Sequence, residues 1–187
     1  MTAVQALLVD MDGTLVDTAE ANYQAYHDAL REVGATISRD AFQQVSAGRN
    51  WRQFLPALLE SAPAAQAEQV AARKAAIYPA KLELTRLNHG LVRLIETLRP
   101  ACRTALVTTA SAANATAVLA AHDLERLFDL VVSGSDVTRH KPDPEAYMLA
   151  AERLQVAPDD CLIIEDSAIG IASAAAFGAP FLKISMD

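Results

Sequence analysis

Ala6-Leu7-Leu8-Val9-Asp10-Met11-Asp12-Gly13-Thr14-Leu15 opens with an apolar run that stops at a carboxylate. A run that short reads as a buried strand whose end opens on a site. Asp10 and Asp12 stand two residues apart, and on an extended backbone that spacing sends both side chains to the same side. Two carboxylates sharing one small volume repel each other unless a cation joins them. Gly13 permits a sharp turn that keeps both acids at the strand tip. The same letters also fit a plain strand end followed by an Asp-rich turn, so the choice rests on what the rest of the chain brings to that tip.

At 187 residues the chain suffices for one full domain, or one domain carrying a smaller insertion. Hydrophobic residues make up 52%, enough for a substantial core. Its 23 acidic and 16 basic residues leave a net charge of −7, and no Lys/Arg run interrupts the acidity. Nucleic acid and anionic membrane surfaces are therefore excluded as expected partners. Cys102 and Cys161 each lie in or beside an apolar run, with no paired or metal-ligand spacing, as expected of reduced, buried thiols. No apolar run reaches the length of a signal peptide core or a membrane span. A soluble, cytoplasmic, monomeric protein is the expectation.

After the opening turn, Asp17-Thr18 supplies a helix start, and Tyr23, Tyr26, Ala29, Leu30 and Val33 recur at helical spacing until Gly34. Ser38 caps a short helix from about Arg39 to Val45, which Gly48 breaks, and Trp51, Phe54, Leu55, Leu58 and Leu59 share one face of a third. Pro63 divides this from an Ala-rich fourth segment running to about Leu84, and Asn88-His89-Gly90 marks a turn. From Leu91 helix-sized segments alternate with the apolar runs 104–108, 130–133, 161–164 and 181–184. Together with Leu7 to Val9 these predict a five-stranded parallel sheet covered on both faces. The all-helical stretch between the first strand and the others predicts an insertion.

In such a sheet, ligands bind beyond the carboxyl ends of the strands. Thr108-Thr109-Ala110-Ser111 follows the second core strand and leads into a helix N-terminus, which favours anions or is simply a capped start. Arg139-His140-Lys141-Pro142-Asp143-Pro144 follows the third, its prolines stiffening a loop that holds Lys141, otherwise an ordinary surface charge. Glu165-Asp166-Ser167 follows the fourth, again straight off a buried run. Each has a bland alternative. Together they put acids, hydroxyls and one fixed lysine on one sheet edge, a constellation suited to Mg²⁺ and phosphate.

D-M-D-G-T-L-V-D-T, V-T-T-A-S, H-K-P-D-P and I-I-E-D-S-A-I-G-I-A-S-A, in that order, resemble the four motifs of the haloacid dehalogenase (HAD) superfamily, in its phosphatase branch with an α-helical cap. The resemblance covers nearly the whole chain. It implies an α/β class, with a Rossmann-like doubly wound parallel sheet core from residues 1–16 and 87–187 and an inserted α-helical cap domain at 17–86. The cap would hinge near Leu15 to Thr18 and Arg86 to Gly90. By resemblance, Asp10 is the nucleophile that forms an aspartyl-phosphate, and Asp12 is the general acid and then base. Thr108 and Lys141 hold the transferring phosphoryl group with the amide of Thr109. Mg²⁺ falls to Asp10, the backbone carbonyl of Asp12 and Asp166, with Glu165 acting through water.

The implied substrate is a small phosphorylated metabolite, a sugar phosphate or phosphoglycolate. The second acid, Asp12, argues against a dehalogenase, which has no leaving alkoxide to protonate, and Thr14 follows Gly13 as in the phosphatases. Asn22 stands where β-phosphoglucomutase-like relatives carry a histidine, which weakens a mutase alternative. Gly48 and Arg49 match a cap loop that relatives use to reach the substrate, and Arg49 would clamp a second anionic or polyol group, unless it is a plain surface arginine. A non-catalytic binding module is the other alternative. It would be expected to have lost one of Asp10, Asp12, Lys141 or Asp166, and all are present.

Overall fold

The structure, a computed structural model, describes residues 4–59 and 64–186; Pro63, the divider expected between two helices, lies outside them. In chain order the elements are β1 (Ala6–Val9), β2 (Val16–Asp17), α1 (Ala19–Glu32), α2 (Arg39–Ser46), α3 (Trp51–Leu58), α4 (Ala64–Ile77), a 3₁₀ segment Tyr78–Leu84, and β3 (Arg86–Leu87). There follow α5 (His89–Leu98), β4 (Arg103–Val107), α6 (Ala112–Ala121), β5 (Leu130–Val132), α7 (Glu145–Leu154), a 3₁₀ turn Pro158–Asp160, β6 (Cys161–Glu165), α8 (Ala168–Phe177) and β7 (Phe181–Lys183).

The five strands expected in the core form one sheet in the order β5-β4-β1-β6-β7, every neighbouring pair parallel. Alternation along β1 sends Leu7 and Val9 to one face, where they pack with Leu91 and Ile95 of α5 and Val118 and Leu119 of α6. Ala6 and Leu8 meet Ala150 and Leu154 of α7 and Ala174 of α8 on the other. With both faces covered, every residue of β1 is buried, which is why the strand reads as an unbroken apolar run. The order reverses at β1. Val9 pairs with Leu106 of β4 on one side and Ile164 of β6 on the other, so Asp10 emerges at the crevice between their carboxyl ends.

The helical block follows the sequence closely, because its punctuation is chemical. Ser38 Oγ accepts from the Ala41 amide at the start of α2, Asn50 caps α3, and Gly34 and Gly48 take positive φ where helices end. Aromatic rings of Tyr26, Phe42 and Phe54 pack at centroid distances of 5.3–5.9 Å in its centre.

The differences are local. The Ala-rich segment is α-helical only to Ile77 and tightens into a 3₁₀ run where Pro79 enters. α5 begins at His89, because Asn88 Oδ1 accepts from the Leu91 amide at 3.0 Å and turns the expected loop into a capped helix start. Two short strands had no signal: Val16 pairs with Leu87 and Asp17 with Arg86, tying together the two chain segments that lead into and out of the block. Of the two cysteines, Cys161 is buried as expected. Cys102 is only half-buried, its thiol meeting the Val4 carbonyl.

Candidate active site

Asp10 is almost wholly buried, at 7% exposure, and Lys141 is more so at 1%. The Lys141 ammonium donates to Asp10 Oδ1 at 2.7 Å, to Glu165 Oε1 at 2.7 Å and to the Val107 carbonyl at 3.0 Å, which uses all three of its protons. Burial opposes its charge, but Asp10, Tyr147 and Glu165 outweigh that and hold it firmly protonated. Asp10 is pushed well above the usual carboxylate range by burial and by the negative charge of Glu165, with Lys141 pulling the other way.

Glu165 is saturated. Besides Lys141, its Oε1 accepts from the Tyr147 hydroxyl at 3.2 Å. Its Oε2 accepts from the amides of Asp166 and Ser167 and from the Ser167 hydroxyl, at 2.9–3.1 Å. These donors and Lys141 outweigh burial and keep it below its ordinary pKa. Gly170 makes room for it: a Cβ there would lie 1.7 Å from Glu165 Oε1. Asp166 is different, half-exposed with one oxygen on the Thr14 hydroxyl at 3.2 Å, and pushed up by burial and by Glu165. A Cβ on Gly13 would reach within 2.4 Å of Asp166 Oδ2, so the glycine with φ +87° keeps that carboxylate in place as well as turning the chain.

Asp12 is held by three donors: the Thr18 hydroxyl and the Asn22 amide nitrogen on Oδ1, and the Thr108 hydroxyl on Oδ2 at 3.3 Å. Thr18 therefore leaves helix capping to Asp17, whose Oδ1 accepts from the Ala19 amide. Asn22 reaches the reaction centre by way of Asp12. The Thr108 hydroxyl, accepting also from the Ala110 amide, orients Asp12 directly. Thr109 lines the cavity above, as do Gly48 and Arg49.

Arg49, expected to clamp a substrate group, lines the cavity but uses its guanidinium within the cap. Its guanidinium donates to the Gln44 and Val45 carbonyls at 3.2 and 2.9 Å, neutralising the C-terminal end of α2.

Two residues were not singled out by sequence. Tyr147 sits six residues past Lys141 with its ring 4.9 Å from the ammonium, and nothing local marks it. Lys74 had a signal: Val70, Lys74 and Tyr78 follow at i, i+4 and i+8, so a lysine interrupts the buried stripe of α4. It is 4% exposed, lies 3.6 Å from the Tyr78 ring centroid and faces the cavity. Burial lowers its pKa to about 7 against a partial pull from Asp12, and it has no hydrogen-bonded or ion-paired partner among the described residues.

The residues fit a divalent cation. Carboxylate oxygens of Asp10, Glu165 and Asp166 lie within 4.8 Å of one another, and of these only Asp10 and Glu165 contact the Lys141 ammonium. Hard oxygen donors in negative excess are what Mg²⁺ requires. With both Glu165 oxygens occupied, Asp10 and Asp166 are the side chains open to it. The carboxylates open on a cavity of about 910 Å³ between the sheet edge and the helical block.

A parallel sheet whose central strand ends in two carboxylates, beneath an inserted helical layer, defines a class of α/β hydrolases. The chain belongs to the haloacid dehalogenase-like hydrolases, whose family model matches residues 4–178. Over 181 residues it is 31% identical to the phosphorylated carbohydrates phosphatase of Thermotoga maritima, covering 94% of this chain and 82% of that one. Over 173 residues it is 30% identical to fructose-1-phosphate phosphatase YqaB of Escherichia coli, covering 92% of each. The solved structure of CbbY from Rhodobacter sphaeroides in complex with phosphate superimposes with a TM-score of 0.89 at 25% identity, over 98% of this chain and 87% of that one. No described helix is long and apolar enough to cross a membrane.

Proposed function

We infer that this protein is a Mg²⁺-dependent phosphatase of a small phosphorylated carbohydrate, working through an aspartyl-phosphate on Asp10. Residues 17–86 act as a cap over a core formed by 1–16 and 87–187. The observation that carries the reading is Asp10 itself, buried at the switch point of the sheet and fixed by Lys141 through one oxygen only. A group held in that way is an oriented nucleophile, whereas a structural carboxylate would have both oxygens satisfied, as Glu165 does.

On substrate entry the Lys141 ammonium exchanges its Asp10 acceptor for a phosphoryl oxygen, keeping Val107 and Glu165 as anchors. Asp10 then attacks phosphorus while the ester P–O bond breaks, and Asp12, as the acid, gives its proton to the departing alkoxide. Water attacks the aspartyl-phosphate next, Asp12 takes the water proton, and the acyl phosphate P–O bond opens to release inorganic phosphate and free Asp10. Thr18, Asn22 and Thr108 hold Asp12 for both transfers. Asp10, Asp166 and the Asp12 carbonyl would hold Mg²⁺, which when bound would supply positive charge to offset the negative charge of the transferring phosphoryl group. The named activities of the relatives support a phosphorylated carbohydrate. So does Lys74, an amine with no hydrogen-bonded or ion-paired partner among the described residues, which faces the same cavity and suits a second anionic or hydroxyl group of the substrate.

The test is phosphate release from fructose 1-phosphate, other sugar monophosphates and phosphoglycolate. Activity is expected on at least one, lost with chelator, restored by Mg²⁺ and abolished in Asp10→Asn. Release that survives the substitution or ignores chelation overturns the reading. Conversion of β-glucose 1-phosphate into glucose 6-phosphate with a bisphosphate primer, without free phosphate, would assign a mutase instead.

A further inference from the structure

One cap segment, residues 48–53, touches three core loops. Gly48 lies against the loop after β6, where a Cβ on it would come 2.9 Å from Ser167 Oγ. Asn50 Nδ2 donates to the Thr109 carbonyl, after β4, at 2.9 Å. Gln53 Nε2 donates to the Lys141 carbonyl, between β5 and α7, at 3.2 Å. Two of these contacts fall on the backbone carbonyls of Thr109 and Lys141, the residues that the phosphatase reading assigns to holding the phosphoryl group.

The two amides do this with only half of each side chain. Asn50 Oδ1 accepts from the Arg52 amide and Gln53 Oε1 accepts from the Asn50 amide at 2.7 Å, together forming the capping box of α3. Since the oxygens face N–H donors, the nitrogens must face the Thr109 and Lys141 carbonyls, so partner chemistry fixes both orientations. A capping box needs only the oxygens, and Asp at the cap with Glu three residues on would serve α3 equally well. The amide nitrogens do something that helix capping does not require.

We propose that Asn50 and Gln53 are positioning residues that latch the closed cap onto the Thr109 and Lys141 loops, so that the phosphate holders reach their working geometry only when the cap is seated. The latch rests on the phosphatase reading for its effect on rate, and not for its effect on closure. Asn50 is buried and takes the larger share, while Gln53 bonds at the rim.

Asn50→Asp and Gln53→Glu keep each capping oxygen and replace the latch donor by an acceptor facing a carbonyl, which separates latch from fold. The chain has one tryptophan, Trp51, the first residue of α3, half-buried and lining the cavity between cap and core. Its quenching by acrylamide reports closure without any turnover. Asn50→Asp is expected to raise the quenching constant about twofold and Gln53→Glu less, with far-UV circular dichroism and Tm unchanged. For fructose 1-phosphate with Mg²⁺, kcat/KM is expected to fall about thirtyfold and about fivefold respectively, mainly in KM if closure is fast, while Asn50→Ser falls between wild type and Asn50→Asp. Wild-type quenching in both acidic variants overturns the proposal, as do losses that only track a lowered Tm. If the wild type releases no phosphate yet quenching responds as stated, the phosphatase reading fails and the latch stands.

Discussion

Two lysines face the same cavity and are treated in opposite ways. Lys141, on the core, has each proton on an acceptor and is held charged by two carboxylates. Lys74, on the cap, lies against the Tyr78 and Tyr26 rings, and burial lowers it to about 7. The core wall is largely organised before any substrate arrives, as the proposed nucleophile would demand: only the Lys141–Asp10 contact is exchanged on substrate entry, while Val107 and Glu165 stay as anchors. The cap wall offers Lys74 no hydrogen-bonded or ion-paired partner among the described residues, so a ligand's polar or anionic group would supply one.

The sharpest break of that contrast is on the core. Asp10→Asn should lower phosphate release by roughly 10³-fold or more, since it removes the nucleophile, measured as kcat on whichever sugar phosphate is hydrolysed best. Lys141→Met should cost about 3–5 kcal/mol of stability, because it leaves Asp10 and Glu165 buried without their counter-ion, and denaturant unfolding would measure it. A loss below about 1 kcal/mol there would mean that the carboxylates are not ionised together.

Gly170→Ala tests how firmly Glu165 is seated. The added Cβ needs space that Glu165 Oε1 occupies, so a loss of about 1–3 kcal/mol is expected, together with reduced activity as Lys141 shifts with its partner. Lys74→Met should do the reverse on the cap. Between about pH 7 and 10.5 the unfolded chain binds the proton that native Lys74 releases, so wild-type stability rises with pH through that window. The variant lacks this slope, and its Tm should exceed the wild type by about 3–6 °C near pH 6.5, the gap narrowing toward pH 10. A gap independent of pH would show that native Lys74 keeps its proton through that window and that burial does not lower its pKa. The smallest effect is expected from Arg49→Ala, with KM changed less than about twofold on fructose 1-phosphate, since its guanidinium is spent on the end of α2.

Much of the site was legible because its chemistry is local. Asp10 and Asp12 declare themselves by interrupting an apolar run, and the helical block by Gly34, Ser38 and Gly48 at its breaks. Lys74 was legible in principle as a charge inside an apolar stripe. Tyr147, Thr18 as a donor to Asp12, and the β2–β3 pair were not, because each acts on a group distant in sequence or held by a single contact with no periodic pattern. Glu165 shows the limit most clearly. As an acid beside Asp166 it reads as part of a metal set, and only its five hydrogen bonds reveal a carboxylate already filled.

By itself the sequence determined that five apolar strand segments would alternate with helices, that a helical block would fall between the first strand and the others, and which side chains stand just past each strand, but not that β7 at the sheet edge would be exposed along its whole length. Those follow from hydrophobic period and turn chemistry, which are properties of neighbours along the chain. The tertiary structure alone decided that β1 lies between β4 and β6, that Lys141 spends its protons on Asp10, Glu165 and Val107, and that the capping amides of α3 reach across to the core. Sheet order and hydrogen-bond partners depend on which distant groups are brought within about 3 Å, and no local pattern specifies that.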